Sequence, residues 1–184
     1  VTSLVGMGAP HMLKLGLERS GGGDDALVRR LIPVLLAHYE AHLGSNCPPF
    51  PGLMGALDDL AARGVRLAVV TNKYEHLARA LLTNIGMIDR FVTVIGGDTL
   101  GPGRSKPAPD PIVEMIARCG GGRAAFVGDS IFDVTAARAA GATSIAVSFG
   151  FLHQPVATLG ADHIMDHYDQ LVPLLAGLVA GDTR

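Results

Sequence analysis

Several features that mark whole classes of protein are scarce or absent in this chain. Only two of its 184 residues are cysteines, and Cys47 and Cys119 match neither a metal-binding nor a redox spacing. We therefore expect reduced thiols in a cytosolic protein, with buried structural roles rather than reactive ones. No apolar run is long enough to span a bilayer, and the first residues lack the basic-then-apolar pattern of a secretory signal. The expected location is the cytoplasm.

An excess of charge of either sign is also missing. The 15 lysines and arginines are interspersed with 17 aspartates and glutamates, which leaves a net charge of -2. Without a basic stripe, neither a nucleic acid nor a membrane surface is expected as a partner. The 48% of hydrophobic residues fit a soluble globular protein, and the length suits one α/β domain or a core with a small appendage.

The sequence of the first part of the chain predicts helices. A short helix is predicted to open at Gly6–Pro10, and Asp24 is placed to cap a second helix. Pro33 predicts a kink or a break in that second helix. The apolar face of the second helix is predicted to carry Leu27, Leu31, Val34, Leu35 and His38. The proline-rich stretch 46–52 is the best boundary, which divides the chain into a helical segment, 1–47, and a core domain, 48–184.

Beyond this boundary, predicted helices alternate with short apolar runs. The runs are predicted strands at residues 66–71, 91–95, 124–127, 144–147 and 163–165. Continuous apolar runs are typical of strands buried on both faces, so the alternation predicts a parallel sheet with helices on both sides. Asp110 is predicted to cap one of these helices, with Pro111 at its first position. Ligands bind such sheets at the carboxyl ends of the strands.

Polar residues follow three of the predicted strands, and each suits a phosphate site. Thr71 and Asn72 offer a hydroxyl and backbone N–H groups at the start of a helix, which favours an anion. Lys106 supplies a compact positive charge from a proline-stiffened loop. Asp129 is a natural Mg²⁺ ligand in a tight turn, and Asp133, one helical turn on, can hold a metal-bound water or Lys106. Asp98 could face the phosphate site or cap its own loop, and the loop is the preferred expectation.

Three stretches resemble motifs of the haloacid dehalogenase (HAD) superfamily of hydrolases. VVTNK at 69–73, KPAPDP at 106–111 and GDSIFD at 128–133 are similar to its second, third and fourth motifs, in the right order and each after a strand. The resemblance is closest to the phosphoglycolate phosphatase group rather than to sugar-phosphate mutases of the same fold. It implies a Rossmann-like α/β core, with residues 1–47 as part of a helical cap domain.

The resemblance also implies a reaction and a set of roles. It implies Mg²⁺-dependent hydrolysis of a small phosphorylated metabolite, 2-phosphoglycolate foremost, through an aspartyl-phosphate. Thr71 and Asn72 would hold the phosphoryl group, Lys106 would stabilise charge on the nucleophile and the phosphate, and Asp129 would bind Mg²⁺. Thr71, Lys106 and Asp133 are thus the predicted catalytic residues. Gly6 and Gly8 resemble a cap loop that contacts substrate, although a simple turn explains them equally well.

One motif of the family is absent from the 184 residues. The first motif, Asp-x-Asp-Gly-Thr after a central strand, would supply the nucleophile and the general acid/base. The aspartates before Thr71 are Asp24, Asp25, Asp58 and Asp59, and none follows an apolar strand. The chain as given is therefore predicted to be inactive, with a gap in its sheet between the strands that end at Val127 and Thr71. A missing N-terminal segment is the favoured explanation.

This gap leaves two further readings open. The chain could be a non-catalytic remnant that binds phosphate or a metabolite and works as an interaction module. The unpaired strand edges also favour a homodimer or strand donation, which sizing of the purified chain would test.

Overall fold

The computed structural model describes residues 8–43 and 47–181, which form an α/β structure with parallel strands. Its helices are α1 (Ala9–Arg19), α2 (Asp25–Ala41), α3 (Leu53–Ala62), α4 (Glu75–Asn84), α5 (Asp110–Arg118), α6 (Ile131–Ala139) and α7 (Leu171–Gly181). Its strands are β1 (Ala68–Val70), β2 (Thr93–Ile95), β3 (Ala125–Gly128), β4 (Thr143–Val147) and β5 (His163–Met165). The predicted α/β fold with a parallel sheet is confirmed.

The strands form two separate parallel sheets. In one sheet β1 pairs with β2, with Val69 opposite Val94. In the other, β4 lies between β3 and β5, with Val127 opposite Ile145. A cavity of about 610 Å³ is lined by both β1 and β3, together with apolar side chains of α3, α5 and α7. Within residues 8–43 and 47–181, the edges of β1 and β3 that border this apolar space have no strand partner.

Helices cover both faces of the strands, as the apolar runs predict. Phe126 of β3 packs in a cluster with Ile112 of α5 and Ala136 of α6. Its neighbours in β3 point to the other face, where a second cluster joins Leu60 of α3 to Leu171 of α7. Because successive strand residues alternate in direction, each strand is buried from both sides.

The helical segment packs as a pair of helices beside the core. Helices α1 and α2 contact one another, and polar contacts tie α2 and the residues after it to α4. Glu40 accepts a hydrogen bond at 3.1 Å from the His76 ring, and the Leu43 carbonyl accepts one at 3.1 Å from Asn84. The division of the chain at residue 47 stays a prediction. No helix in the described part of the chain has the length and hydrophobicity needed to cross a membrane.

Some details of the helices differ from the sequence predictions. Asp24 caps α2 as expected, since its carboxylate accepts a hydrogen bond from the Leu27 amide at 2.7 Å. Pro33 does not break α2, which runs as one helix, and Val34 is 63% exposed. The buried residue of α2 is Val28, so the face that meets the rest of the molecule is rotated relative to the predicted one.

Two further predictions fail, one about a helix cap and one about a cysteine. Asp110 does not cap α5. It occupies the first position of the helix, Pro109 precedes it, and its carboxylate binds Arg104 at 2.6 Å. The Arg104 guanidinium accordingly lowers the pKa of the Asp110 carboxyl. Among the cysteines, Cys119 is buried as expected, whereas Cys47 is exposed.

Candidate active site

The predicted site residues meet in one cavity of about 580 Å³ between the strand ends and the helical segment. Its lining includes Thr71, Asn72, Lys106, Asp129 and Asp133, and Gly8 contributes from the helical segment. Gly8 adopts a φ of +83° at the start of α1, and a Cβ there would lie 3.4 Å from the Asn72 carbonyl oxygen. Gly6 lies outside the described residues.

The turn after β1 is held by its own hydrogen bonds. The Thr71 amide donates to the Ile95 carbonyl at 2.9 Å, which extends the pairing of β1 with β2. The Thr71 hydroxyl accepts a hydrogen bond from the Lys73 amide at 3.2 Å, and its proton remains available to an acceptor in the cavity. The Asn72 side chain donates to the Lys106 carbonyl at 2.9 Å, which joins the turn to the lysine loop.

Asp98, from a later loop, binds the start of the helix that follows the same turn. Its carboxylate accepts a hydrogen bond from the Glu75 amide at 2.8 Å, at the first residue of α4. The expectation that Asp98 caps its own loop is therefore wrong: it caps a helix 23 residues earlier in the chain. Because this amide is already bonded to a carboxylate, it is not open to a phosphate group.

Lys106 and Asp133 form a nearly buried ion pair. The Lys106 Nζ donates to Asp133 Oδ1 at 2.6 Å and to the Val70 carbonyl at 3.0 Å, and the two side chains are 10% and 9% exposed. Asp133 Oδ2 accepts from the Ser130 hydroxyl at 2.6 Å and from the backbone amides of Asp129 and Ser130. Since both its oxygens are engaged, Asp133 positions Lys106 and the β3–α6 turn rather than offering itself to a metal.

Asp129 is the carboxylate that faces the cavity with an oxygen to spare. Its Oδ2 accepts a hydrogen bond from the Phe151 amide at 2.7 Å, whereas no described residue donates to its Oδ1. The loop of Gly150 and Phe151 comes so close that a Cβ on Gly150 would lie 2.3 Å from the Asp129 Cβ. Sequence reasoning missed these two residues, although a glycine soon after the end of β4 was the available signal.

The donor set around Asp129 fits Mg²⁺ in part. Mg²⁺ takes oxygen ligands, keeps several waters and is commonly bound through one or two carboxylates plus substrate phosphate. Asp129 supplies one such carboxylate, and no group of three or more His, Cys, Asp or Glu side chains with metal-binding geometry occurs within the described ranges. The residues therefore suit a hard cation shared with a phosphate and not a cage built by protein ligands alone.

Aromatic side chains close one side of the cavity. Tyr168 lies edge-on to Phe149, which in turn lies edge-on to Phe50. Burial raises the pKa of the Tyr168 phenol, and the negative charge of Asp129 raises it further. Tyr168 therefore stays neutral at physiological pH and can act as a hydrogen-bond donor beside Asp129.

The wall contributed by the helical segment carries one feature that sequence reasoning missed. Tyr39 of α2 reaches the mouth of the site, where its hydroxyl oxygen accepts a hydrogen bond from Lys73 Nζ at 2.5 Å. The same ammonium lies 4.1 Å from the centre of the Tyr39 ring. The two residues are 34 positions apart, so no local pattern could have paired them.

The aspartates that precede Thr71 lie elsewhere. Asp24 caps α2, Asp25 pairs with Lys14 at 3.6 Å, and Asp58 pairs with Arg90 on the surface. None of these three, nor Asp59, lines the cavity. Among the described residues, the carboxylates of the cavity are those of Asp129 and Asp133.

Comparisons with known proteins agree with this geometry. The sequence pattern of the haloacid dehalogenase-like hydrolases matches residues 17–147. A phosphoglycolate phosphatase of Rhodospirillum rubrum is 38% identical over 93% of this chain and 73% of its own, and one of Caulobacter vibrioides is 38% identical over 91% and 71%. The crystal structure of a predicted phosphoglycolate phosphatase from Haemophilus somnus superposes with a TM-score of 0.86 at 25% identity, over 95% of this chain and 80% of that one. The chain belongs to the haloacid dehalogenase-like hydrolase family.

Proposed function

We propose that this chain is part of a Mg²⁺-dependent phosphomonoester hydrolase that acts on 2-phosphoglycolate through an aspartyl-phosphate. The observation that carries the proposal is the buried pair of Lys106 and Asp133, which fixes an ammonium beside Thr71 and Asp129 at the carboxyl ends of parallel strands. The names of its relatives, phosphoglycolate phosphatase in both cases, support the substrate. A cytoplasmic location stays a prediction.

Thr71, Asn72 and Lys106 each make a different contribution to binding a phosphoryl group. The Thr71 hydroxyl donates a hydrogen bond to one of its oxygens, and Asn72 keeps the turn in place through its bond to the Lys106 carbonyl. Lys106 stabilises negative charge on the transferring group from a fixed position, since Asp133 and the Val70 carbonyl hold its Nζ. Fixed charges of this kind need no rearrangement when the reaction occurs, which is why they lower its barrier.

Asp129 would hold the magnesium ion together with an oxygen of the substrate. When bound, Mg²⁺ neutralises charge on the phosphate and orients it for in-line attack. The Phe151 amide fixes the Asp129 carboxylate, so that its second oxygen faces the cavity.

The attacking carboxylate is proposed to come from a segment outside these 184 residues. Asp133 is fully engaged and Asp129 is assigned to the metal, which leaves no described carboxylate in the cavity for attack on phosphorus. The apolar space between the unpaired edges of β1 and β3 suits an additional strand, whose end would reach the cavity beside Thr71 and Asp129. Such a strand would carry the Asp-x-Asp pair of the family. Association of two chains through these edges also stays a prediction.

The proposal is tested by phosphate release from 2-phosphoglycolate with the full-length product of the gene. We expect turnover that a chelator abolishes and added Mg²⁺ restores. Asp129→Asn should lower kcat/KM by about 1,000-fold, because the metal loses its carboxylate ligand. Asp89→Asn makes the same chemical change on the surface and serves as the control. Turnover without divalent cation, or equal activity of the two variants, would contradict the proposal.

A second function is favoured by the same lack of a free carboxylate. A non-catalytic relative would bind phosphate through Thr71 and Lys106 and serve as an interaction module. It predicts Mg²⁺-dependent binding of inorganic phosphate with no turnover by the full-length protein. Measured turnover would exclude this alternative.

A further inference from the structure

Two cations line the candidate active site, and they differ in how their charges are balanced. Lys106 is paired with the Asp133 carboxylate at 2.6 Å. Lys73 binds the neutral phenol of Tyr39, and the described residues place no carboxylate in contact with its ammonium. Among the residues that the structure describes, Lys73 therefore brings to the cavity a positive charge that no carboxylate pairs with.

The position of Lys73 is set at both ends of the side chain. Its backbone belongs to the turn after β1, where its amide binds the Thr71 hydroxyl and its carbonyl accepts from Gly97 at 2.8 Å. Tyr39 of α2 binds its ammonium, so the Lys73 side chain extends from the turn after β1 to the side of the cavity that α2 forms. Only one of the three N–H groups is used by Tyr39, which leaves donors for a second acceptor.

The wall around this ammonium is otherwise apolar. The residues of α1 and α2 that line the cavity are Ala9, Pro10, Met12, Leu35, Leu36 and Tyr39, and only the last has a polar side-chain atom. Near apolar groups a charge interacts more strongly with an opposite charge than it does in bulk water, because the local dielectric is lower. An anion that enters here meets Lys73, and the Tyr39 hydroxyl is the polar side-chain group that α1 and α2 place beside it.

We propose that Lys73 is a specificity-determining residue that binds a second anionic group of the substrate, a carboxylate close to the phosphate ester. This inference rests on the proposed phosphatase function and deepens it. Lys73 starts two residues after Thr71, so it reaches a group only a short distance from a phosphoryl group bound at Thr71. The substrate class is then a small phosphomonoester with a carboxylate near its ester oxygen. Tyr39 positions the ammonium for it.

A comparison of two esters tests this assignment in the full-length protein. 2-Phosphoglycolate carries the carboxylate, whereas ethyl phosphate has the same two-carbon length without it. Lys73→Met should lower kcat/KM for phosphoglycolate about 10- to 100-fold more than for ethyl phosphate, because a charge-assisted hydrogen bond to the carboxylate is lost. Lys73→Arg should recover part of the preference. Tyr39→Phe should reduce the preference by a smaller factor.

Lys14→Met is the matched control, since it removes an exposed lysine of α1 that does not line the cavity. It should leave the ratio of the two kcat/KM values as in the unaltered protein. If Lys73→Met impairs both esters equally, Lys73 binds the phosphate or only supports the fold, and the inference is wrong. If neither ester is hydrolysed by the unaltered protein, the proposed function fails.

Isothermal titration calorimetry distinguishes a failure of the inference about Lys73 from a failure of the proposed function. The 184-residue chain, which we expect not to hydrolyse either ester, should bind 2-phosphoglycolate more tightly than ethyl phosphate in the presence of Mg²⁺, and Lys73→Met should remove that difference. This result would support the role of Lys73 even in the absence of turnover. A preference that survives Lys73→Met, or no binding of either ester, would overturn it.

Discussion

At the scale of single residues, the Lys106–Asp133 pair shows how a site can be held by one buried contact. Asp133 binds Lys106 through one oxygen and completes a capping box with Ser130 through the other. The same carboxylate thus anchors a lysine from one loop and the first turn of α6. The sequence indicated the contact with Lys106, whereas the capping box with Ser130 is shown by the structure.

Asp133→Ala should destabilise the protein strongly. It leaves the Lys106 ammonium nearly buried without its counter-charge and removes the cap of α6, so we expect the free energy of unfolding to fall by about 3 kcal/mol or more. Urea denaturation followed by circular dichroism measures it. Glu114→Gln breaks an exposed pair with Arg118 and should cost no more than about 0.5 kcal/mol. A loss below about 1 kcal/mol for Asp133→Ala would refute this account of the pair.

Gly150→Ala should disturb the site without adding or removing a charge. The new Cβ would lie 2.3 Å from the Asp129 Cβ, so either the loop or the carboxylate must move. We expect a loss of about 1–3 kcal/mol in stability, as for overpacked interiors. Gly55→Ala is the control, because nothing lies within 4 Å of its Cβ position in α3. Equal thermal unfolding midpoints for the two variants would show that the loop of Gly150 and Phe151 can move to accept the new Cβ without loss of stability.

At the scale of elements, the strands were the most predictable part. Apolar runs bounded by glycine or polar residues predict strands such as β3 and β4 to within about two residues, because burial on both faces demands that pattern. Helix details were less predictable. Arg104 draws the Asp110 carboxylate away from a capping role, and α2 buries Val28 rather than Val34. Side-chain contacts that the apolar pattern does not record decide such choices.

One polar contact links β4 to the residue before β5 and should make stability depend on pH. Asp162 Oδ2 accepts from the Ser144 hydroxyl at 2.7 Å and from the Ser144 amide at 2.8 Å. These two hydrogen bonds lower the pKa of the Asp162 carboxyl. A lowered pKa in the folded state means that this stabilisation is present above the unfolded-state pKa of about 3.9 and is lost as the pH falls through the folded-state pKa.

Asp162→Asn should therefore cost about 1 kcal/mol at pH 7, a value kept small because Asp162 is exposed. The difference from the unaltered protein should shrink as the pH is lowered below about 4. Chemical denaturation at a series of pH values measures both quantities, with Asp89→Asn as the surface control. A difference that stays constant down to pH 3 would mean that the charge of Asp162 is not responsible.

At the scale of the whole molecule, the order of three motifs after successive strands sufficed to predict that their polar residues lie together. Thr71, Lys106, Asp129 and Asp133 all line one cavity because the carboxyl ends of parallel strands meet there. The contacts of Lys73 with Tyr39 and of Asp129 with Phe151 could not be predicted. These contacts join segments that are far apart in sequence, and the hydrophobic periodicity of the sequence carries no information about such contacts.

The division of the strands into two sheets is the feature of the whole molecule with the largest consequence. In the part of the chain that the structure describes, the edges of β1 and β3 around an apolar cavity have no strand partner, while the groups proposed to bind phosphate and metal are already in place. Buried backbone groups on such edges favour an added strand, which would satisfy their hydrogen bonds. The central claim is that this strand also brings the attacking carboxylate.

The most direct test measures phosphate release from 2-phosphoglycolate by two proteins side by side. One is the 184-residue chain, and the other is the same chain preceded by a family strand with its Asp-x-Asp pair. We predict no detectable turnover by the first and Mg²⁺-dependent turnover by the second, at a rate at least about 1,000-fold above the detection limit. Asp→Asn at the first aspartate of the pair should abolish this turnover. Turnover by the 184-residue chain at the rate of the extended one would contradict the account.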